Sequence, residues 1–205
     1  MFINEPVMPT RESALKGGKT PVLPNPGTHA VLGTPLDSPG AYVLFGLGCF
    51  WGAEKLFWST PGVITTSVGF AGGYTQNPTY REVCTGRTGH AEVVKVVYDP
   101  EKISFEQLVK IFFEAHDPTQ GFRQGNDVGT QYRSCIFTET DEQAEIARGI
   151  ASAYAPKLKE AGYGDLTTEI RAHVDYYLAE EEHQQYLRKN PGGYCPVHAT
   201  GIACG

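Results

Sequence analysis

The sequence predicts an α+β domain whose core is a ferredoxin-like split βαβ sandwich (an α/β plait) with additional helices. Two observations lead to this prediction. Over residues 41–138, segments of strand character and segments with helical spacing of apolar residues follow the order strand, helix, strand, strand, helix, strand. The chain of 205 residues is also long enough for one full hydrophobic core and short for two.

The first forty residues are expected to form an irregular extension that precedes the domain. Seven of the fourteen prolines fall there, and Pro21, Pro24 and Pro26 lie close together. Proline fixes one backbone dihedral angle and lacks an amide donor, so such a segment forms little regular structure. We expect residues 1–40 either to wrap around the surface or to be disordered.

The first half of the core is predicted from three segments. Residues 41–47 and 63–70 are short apolar runs typical of buried strands, and residues 50–59 carry large apolar side chains at helical spacing. Pro61-Gly62 supplies the turn before the second strand. A long irregular stretch at 72–89 follows, and loops of that length inside a compact domain are usually functional.

The second half of the core begins with the clearest strand, at residues 91–98. Ser104, with glutamine three residues later, forms a capping box that opens a helix to about residue 116. An irregular stretch at 117–131 separates this helix from a strand predicted at 133–138.

The remaining elements extend the core. A capping box at Thr140 predicts a helix to about residue 161, which Pro156 should kink or split. We then predict a strand at 167–173, a polar helix at 179–189 and a flexible, glycine-containing tail at 191–205. The ordered domain is therefore expected to span residues 41–190.

Composition restricts the possible functions. The net charge of −6 argues against a nucleic-acid partner, which normally requires a basic face. The sequence has no apolar run of about 18 residues that could span a membrane, and its start lacks the apolar segment of a secretory signal. Five cysteines are a poor disulfide framework and are typical of a reducing compartment. We expect a cytoplasmic protein, monomeric by default.

The stretch from Gly46 to Gly52 is the strongest candidate for a chemical site. Cys49 lies between a predicted strand and a predicted helix, where free backbone N–H groups and the helix dipole favour an anion. A thiol there can have its pKa lowered, and the thiolate is the reactive form. Phe50 and Trp51 follow it directly. We interpret Cys49 as a nucleophile with an apolar pocket beside it.

Glu92 is the most informative charged residue. On the strand 91–98 it shares a face with Val94, Val96 and Tyr98, so its carboxyl group is predicted to be buried. A buried carboxyl must be paired or have a raised pKa, and in its neutral form it can donate a proton to a substrate oxygen. The alternative is that Glu92 lies at the frayed strand end and reaches solvent.

Three further polar residues lie in the two irregular stretches. Tyr80 is in the first, and Asp127 and Tyr132 are in or beside the second. Phenol groups in loops can direct hydrogen-bond donors into a site, although each residue taken alone could equally pack on the surface.

The other cysteines divide into two groups. Cys195 and Cys204 lie in the tail, where glycines keep the backbone pliable, so they could serve as a resolving and a relay thiol or be idle at a frayed terminus. Cys135 falls inside a predicted strand and is expected to be a small buried residue. Cys84 lies in a loop, and its role stays open.

A zinc site is an alternative for the tail. Cys195-x-x-His198 has ligand-like spacing, and His183 and Cys204 could complete a set of four ligands. No second closely spaced pair exists, however, and His183 belongs to a different element. This alternative implies a zinc-stapled module that binds peptides in an aromatic groove.

The motifs together resemble those of the A-type methionine sulfoxide reductases, which reduce peptide methionine S-sulfoxide. The resemblance covers roughly residues 41–195, in order and at the expected separations. The stretches that carry it are Gly48-Cys49-Phe50-Trp51-Gly52, Gly72-Gly73-Tyr74, Asn77-Pro78-Thr79-Tyr80-Arg81-Glu82-Val83, Gly89-His90-Ala91-Glu92, His116-Asp117-Pro118, Gln124-Gly125-Asn126-Asp127, Gln131-Tyr132-Arg133-Ser134 and His183-Gln184-Gln185-Tyr186-Leu187.

The resemblance implies roles for the residues of the predicted site. It makes Cys49 the nucleophile and places Phe50 and Trp51 around the methyl group of the sulfoxide. Glu92 matches the acid that protonates the sulfoxide oxygen. Tyr80 and Tyr132 match the phenol groups that also bind the sulfoxide oxygen. Asp127 matches a residue that organises polar contacts beside the cysteine.

The resemblance also implies how the enzyme is recycled. Cys195 matches the resolving cysteine, and Cys204 matches the second recycling cysteine of a three-cysteine subgroup whose disulfide is reduced by thioredoxin. No metal or organic cofactor is implied, and the substrates are oxidised proteins or peptides and free methionine sulfoxide. The tail departs from the family pattern by having Pro196-Val197-His198 between the two cysteines.

Overall fold

The computed structural model describes residues 5–195 and 198–205 and confirms the α+β class. Helices pack on a curled, mixed sheet of six strands, and a two-stranded ribbon lies apart from it. The strands are β1 (Ala41–Gly46), β2 (Val63–Ala71), β3 (Ala91–Tyr98), β4 (Arg123–Gln124), β5 (Asp127–Val128), β6 (Cys135–Thr138), β7 (Glu169–Ala172) and β8 (Tyr176–Leu178). The α-helices are α1 (Phe50–Trp58), α2 (Tyr80–Cys84), α3 (Phe105–Glu114), α4 (Asp141–Glu160) and α5 (Tyr186–Lys189).

The sheet has the strand order β7-β6-β1-β3-β2-β8. Every neighbouring pair is antiparallel except β6 and β7, which are parallel. The apolar faces of α1, α3 and α4 cover one side of the sheet and form the main core with β1, β3 and β6. Cys49 and Glu92 therefore lie where the central strands β1 and β3 meet α1.

The helix predicted around Pro156 is continuous, and the prediction that it splits was wrong. Helix α4 runs through twenty residues with Pro156 inside it. Proline leaves the carbonyl group of Ser152 without its helical donor. Both residues are exposed, so water can hydrate that carbonyl group at little cost.

The polar helix predicted at 179–189 is absent from this described part of the chain, which instead holds a 3-10 turn (Glu181–His183) and the short helix α5. Gln185 between them has a left-handed backbone, with φ of 48°. The Gln184 side chain pairs with the backbone of Val68 on β2, accepting from its N–H at 2.9 Å and donating to its carbonyl oxygen at 2.8 Å. These tertiary contacts outweigh the helical tendency of the segment.

The described part of the N-terminal extension wraps around the domain. Residues 5–40 form only isolated bridges, at Gly17 with Gln76 and at Thr28 with Pro35. His29 and Leu36 are buried against the domain. No helix in the part of the chain that the structure describes is long and apolar enough to cross a membrane.

Candidate active site

Cys49 occupies the junction that the sequence predicted, as the residue that caps the N-terminus of α1. Two glycines make room for it. Gly46 faces Cys135, whose sulfur would be 2.5 Å from a Cβ atom at position 46. Gly48 has a φ of +94°, and a Cβ atom there would meet the Gln124 side chain at 2.8 Å. The turn that presents the thiol therefore requires glycine at both positions.

The predicted lowering of the Cys49 pKa was wrong for the resting site. Burial is the largest influence and raises the pKa of the Cys49 thiol, and the neighbouring Glu92 raises it further. The backbone N–H groups of Trp51 and Gly52 act in the opposite direction but do not compensate. The helix N-terminus thus lowers the pKa of Cys49 by less than burial raises it, and the thiol is protonated at rest.

Glu92 is buried, as the alternation along its strand predicted, with 1% of its surface exposed. Its Oε2 atom accepts a hydrogen bond of 3.1 Å from the backbone N–H of Phe50, the first residue of α1. Burial raises the pKa of Glu92 to about 8; the Phe50 hydrogen bond lowers it, and the charge of Asp127 raises it. At neutral pH the carboxyl group is therefore mainly protonated and able to donate.

The structure brings Tyr80, Tyr132 and Asp127 to the same site. Tyr80 begins α2, and Tyr132 ends a 3-10 turn (Thr130–Tyr132). Burial raises the pKa of both tyrosines, and the nearby charge of Glu92 is the second cause in each. Asp127 is close enough to raise the pKa of Cys49 and of Glu92. Both phenol groups therefore keep their protons and remain hydrogen-bond donors.

An aromatic cluster forms the apolar side of the site. The Trp51 ring stacks on Tyr186 with centroids 3.9 Å apart, and its Nε1 atom donates to His183 Nδ1 at 3.3 Å. The His183 ring lies 4.2 Å from Tyr80 and 5.6 Å from Phe50, measured between centroids. Because Nδ1 accepts a hydrogen bond and burial lowers the pKa of His183, this imidazole is neutral.

The sequence analysis gave four residues around the site no role in it, and it considered one of them, His183, only as a zinc ligand. His183 and Tyr186 complete the aromatic cluster, and Glu180 accepts the backbone N–H of Tyr80 at 2.9 Å. The hydroxyl group of Tyr194 donates to Asp127, with distances of 3.2 and 3.3 Å to the two carboxylate oxygens. The run of aromatic and acidic residues after β8 was the available signal, but it was interpreted as a polar helix.

Arg133 joins the two long loops that carry the site. Its Nη2 atom donates to the carbonyl oxygen of Gly89, before β3, and its Nη1 atom donates to that of Thr130. The third donor, Nε, pairs with Glu169 at 2.8 Å. The guanidinium group is buried, so its several bonds fix the loops relative to the sheet.

A buried hydrogen-bond chain ties the N-terminal extension to α1. His29 Nε2 lies 2.9 Å from Thr66 Oγ1, and this hydroxyl donates to Glu54 Oε1 at 3.1 Å. Gln185 donates its backbone N–H and its side-chain amide to the two oxygens of Glu54. Burial raises the pKa of Glu54 to about 7 and lowers that of His29 to about 4.

This chain of contacts is not an ion pair, although His29 and Glu54 approach within 4.0 Å. The Nδ1 atom of His29 accepts two backbone N–H groups, so only its Nε2 atom carries a proton. The neutral imidazole therefore joins the extension to the helix that begins at Phe50 by hydrogen bonds alone.

The tail cysteines occupy different places. Cys195 is exposed and follows Tyr194, which is bound to Asp127 in the site. Cys204 is buried in the main core, with 7% of its surface exposed, and its backbone N–H donates to Glu114 at 2.7 Å. The described end of the tail is therefore docked on the helices and not frayed.

Of the two remaining cysteines, Cys135 lies as predicted, whereas the prediction that Cys84 lies in a loop was wrong, because it belongs to helix α2. Cys135 is fully buried in β6, as predicted, and burial raises its pKa to about 12. Cys84 is exposed at the end of α2, and its thiol lies against the hydroxyl group of Tyr80. All five cysteines are free thiols in the described structure.

The arrangement does not support the zinc alternative. His183 belongs to the aromatic cluster and Cys204 to the core beside α3. Within residues 5–195 and 198–205, no group of three or more His, Cys, Asp or Glu side chains could hold a metal ion.

Known proteins match this chain over most of its length. The family model described as peptide methionine sulfoxide reductase matches residues 41–203. The peptide methionine sulfoxide reductase MsrA of Corynebacterium kroppenstedtii is 63% identical over 203 residues, covering 95% of this chain and 92% of that protein.

Solved structures agree with this match. Methionine sulfoxide reductase A of Corynebacterium diphtheriae superposes with a TM-score of 0.90 at 61% identity, covering 98% of this chain and 99% of that one. Mxr1 from Saccharomyces cerevisiae, in its reduced form, gives a TM-score of 0.71 at 37% identity, covering 77% and 90%. The family match and these identities show that the chain belongs to the MsrA family of peptide methionine sulfoxide reductases.

Proposed function

We propose that this enzyme reduces the S epimer of methionine sulfoxide with Cys49 as nucleophile and Glu92 as acid. The observation that carries the proposal is the buried Glu92 carboxyl group, which accepts the Phe50 N–H beside the thiol at the edge of the aromatic cluster. Burial raises its pKa to about 8, which favours the protonated form at neutral pH. A sulfoxide sulfur is a poor electrophile until its oxygen receives a proton, and a neutral buried acid can supply one.

Substrate binding would use the two chemically different sides of the site. The methyl group of the sulfoxide would lie against Phe50 and Trp51, where apolar burial contributes roughly 0.8 kcal/mol per carbon. The oxygen would face Glu92, Tyr80 and Tyr132, whose protons are available at neutral pH. Because the rest of the substrate chain must extend toward solvent, fixing the methyl group and the oxygen on opposite sides of the sulfur would select one epimer.

The first chemical step transfers oxygen from the substrate to Cys49. Glu92 gives its proton to the sulfoxide oxygen while the Cys49 sulfur attacks the substrate sulfur, and the thiol proton returns to the emptied Glu92 carboxylate. This return is favoured because the Cys49 sulfur becomes positively charged as it attacks, and a proton on cationic sulfur is much more acidic than that of the resting thiol. Methionine leaves reduced by two electrons, and Cys49 becomes a sulfenic acid.

Recycling would pass through two disulfides, as in a three-cysteine enzyme. Cys195 attacks the Cys49 sulfenic acid and water leaves; Cys204 then attacks Cys195 and frees Cys49. Tyr194, bound to Asp127, supports this order because it holds the residue before Cys195 at the site. Cys204 must leave its docked position on α3 before it can take part.

The reductant that we propose is a thioredoxin. Mxr1, the yeast relative described above, has also been solved in complex with Trx2. Five cysteines are an odd number and a poor disulfide framework, which is typical of a reducing compartment, so we propose a cytoplasmic enzyme. We take it as a monomer that acts on oxidised proteins or peptides and on free methionine sulfoxide.

We also infer that the central four strands form a ferredoxin-like core. The order β6-β1-β3-β2, with every neighbour antiparallel and α1 and α3 as the two connecting helices, supports this inference.

Counting thiols tests the proposed reaction without any coupling enzyme. Fully reduced protein given one equivalent of a peptide containing methionine S-sulfoxide should form one methionine per molecule and lose two thiols. Cys49→Ser should form none, whereas Cys135→Ala, which removes a cysteine buried in the sheet, should match the unaltered protein. Methionine formation by Cys49→Ser, or equal use of the R epimer, would refute the proposal.

A further inference from the structure

A second cavity, of about 190 Å³, borders Cys49. Of the residues that line it, only Cys49 belongs to the proposed substrate site. Apolar side chains of α1 and the end of α3 form most of its wall, and the polar side chains on it are His116, Gln124 and His198. The cavity thus joins the catalytic thiol to the tail that carries Cys195.

Two of the three polar side chains have all their polar atoms bonded. His116 Nδ1 bonds the carbonyl oxygen of Phe112, and its Nε2 bonds the Ser134 hydroxyl, both at 2.8 Å. The amide of Gln124 makes two bonds to the backbone of Asp117. Neither side chain has a polar atom to spare for chemistry at the cavity.

His198 is the exception. Its Nε2 atom is buried and has no hydrogen-bond partner among the described residues. The ring lies directly on Gly125, where a Cβ atom would come within 2.1 Å of Nε2. Nε2 is therefore the polar atom of this wall that no described protein group occupies, and a neutral imidazole nitrogen can accept a proton.

Hydrogen bonds hold the tail to the domain on both sides of His198. Tyr194 binds Asp127 in the site, and Thr200 is held by the hydroxyl groups of Tyr154 and Tyr163. His198 is therefore placed at the cavity by two anchors, only three residues after Cys195.

We propose that His198 is a catalytic residue of the resolving step, accepting the proton of the Cys195 thiol. This inference rests on the proposed function, which supplies the Cys49 sulfenic acid. The Cys195 S–H proton passes to Nε2 as the Cys195 sulfur attacks Cys49. The S–O bond of the sulfenic acid breaks, and the departing hydroxide takes a proton from solvent to leave as water. Cys49 is reduced, Cys195 is oxidised, and the charge on His198 is lost when its proton returns to solvent. Imidazole is the commonest side-chain base for such a transfer.

Rapid-quench analysis of one turnover separates this step from sulfoxide reduction. Reduced His198→Ala should form methionine at the unaltered rate but lose its second thiol about 100-fold more slowly, which is a typical contribution of a general base. A dimedone adduct of Cys49 should accumulate meanwhile. Imidazole in the buffer should restore disulfide formation in His198→Ala and should not accelerate the unaltered protein.

Two controls make the result decisive. His173→Asn changes an exposed histidine paired with Asp141 and should behave like the unaltered protein. His198→Gln keeps a long polar side chain without a basic nitrogen and should be as slow as His198→Ala. Fast disulfide formation in His198→Gln, or no response of His198→Ala to imidazole, would overturn the role of His198 alone. Failure of the unaltered protein to form methionine would instead overturn the proposed function.

Discussion

The backbone N–H of Phe50 donates to Glu92 Oε2 at 3.1 Å, so the first free N–H group of α1 is bound to the acid and not to the Cys49 sulfur. This contact fixes the carboxyl group beside the thiol while burial keeps it protonated. In the proposed reaction the helix N-terminus therefore orients the proton donor, and the thiol gives its proton to Glu92 only after Glu92 has given its own to the substrate.

Replacing Glu92 with glutamine should slow sulfoxide reduction without unfolding the protein. The amide oxygen of glutamine can still accept the Phe50 N–H, but the amide cannot deliver a proton. We expect the single-turnover rate of methionine formation to fall about 100-fold, a typical size for loss of a general acid. Glu106→Gln, a change of an exposed carboxyl group on α3, is the matched control. An unchanged rate in Glu92→Gln would exclude the acid role.

The rate of sulfoxide reduction should fall as pH rises through about 8. Glu92 is active in its protonated form, and its pKa is raised to about 8, so the active fraction decreases above that pH. Measuring methionine formation in one turnover across pH should show this decrease. The decrease should vanish in Glu92→Gln; its persistence there would assign the titration to another group.

Glu92 should also destabilise the fold at high pH. Its pKa in the folded state is raised to about 8 from its ordinary value of 4.5, so the folded state binds more protons than the unfolded state in the interval between these values. The contribution of Glu92 to the free energy of unfolding is fully present below its unfolded-state pKa of 4.5 and is lost as pH rises through its folded-state pKa of about 8. Urea unfolding should show that Glu92→Gln gains stability relative to the unaltered protein as pH rises, by a few kcal/mol. A gain that is independent of pH would contradict burial of the charge.

Trp51 should determine substrate affinity and not the acid chemistry. Trp51→Ala removes the ring that stacks on Tyr186 at 3.9 Å and, in our proposal, holds the methyl group. We expect kcat/KM to fall about tenfold, mostly through KM, from lost apolar contact and orientation. Trp58→Phe, at the far end of α1, should leave KM unchanged. A fall confined to kcat would argue against the binding role.

Local patterns in the sequence predicted the elements that hold the site. The period-two alternation around Glu92 predicted its burial, and the capping boxes at Ser104 and Thr140 predicted the starts of α3 and α4; both boxes are present. The same logic could have found α2, because Thr79 with Glu82 forms a third capping box.

What could not be predicted depends on contacts between distant segments. Gln185 adopts a left-handed backbone because its N–H meets the buried Glu54 carboxylate, 131 positions earlier in the chain, and no local pattern reports that partner. The pKa of Cys49 was likewise misjudged, because its position at a helix N-terminus is visible in the sequence and its burial beside Glu92 is not.

Cys204 should be required for recycling and dispensable for the first turnover. It is docked beside α3, where its backbone N–H donates to Glu114 and its carbonyl oxygen accepts from Lys157 at 3.1 Å. Neither contact involves a residue of the site around Glu92. Cys204→Ser keeps that docking geometry but cannot attack the Cys195 sulfur. Methionine formation in one turnover should therefore be unaltered, while the steady-state rate with thioredoxin, thioredoxin reductase and NADPH should fall well below it. Cys135→Ala, a change of a buried cysteine outside the proposed relay, is the control. Undiminished cycling in Cys204→Ser would mean that thioredoxin reduces the Cys49–Cys195 disulfide directly, because no other exchange partner in the tail would remain.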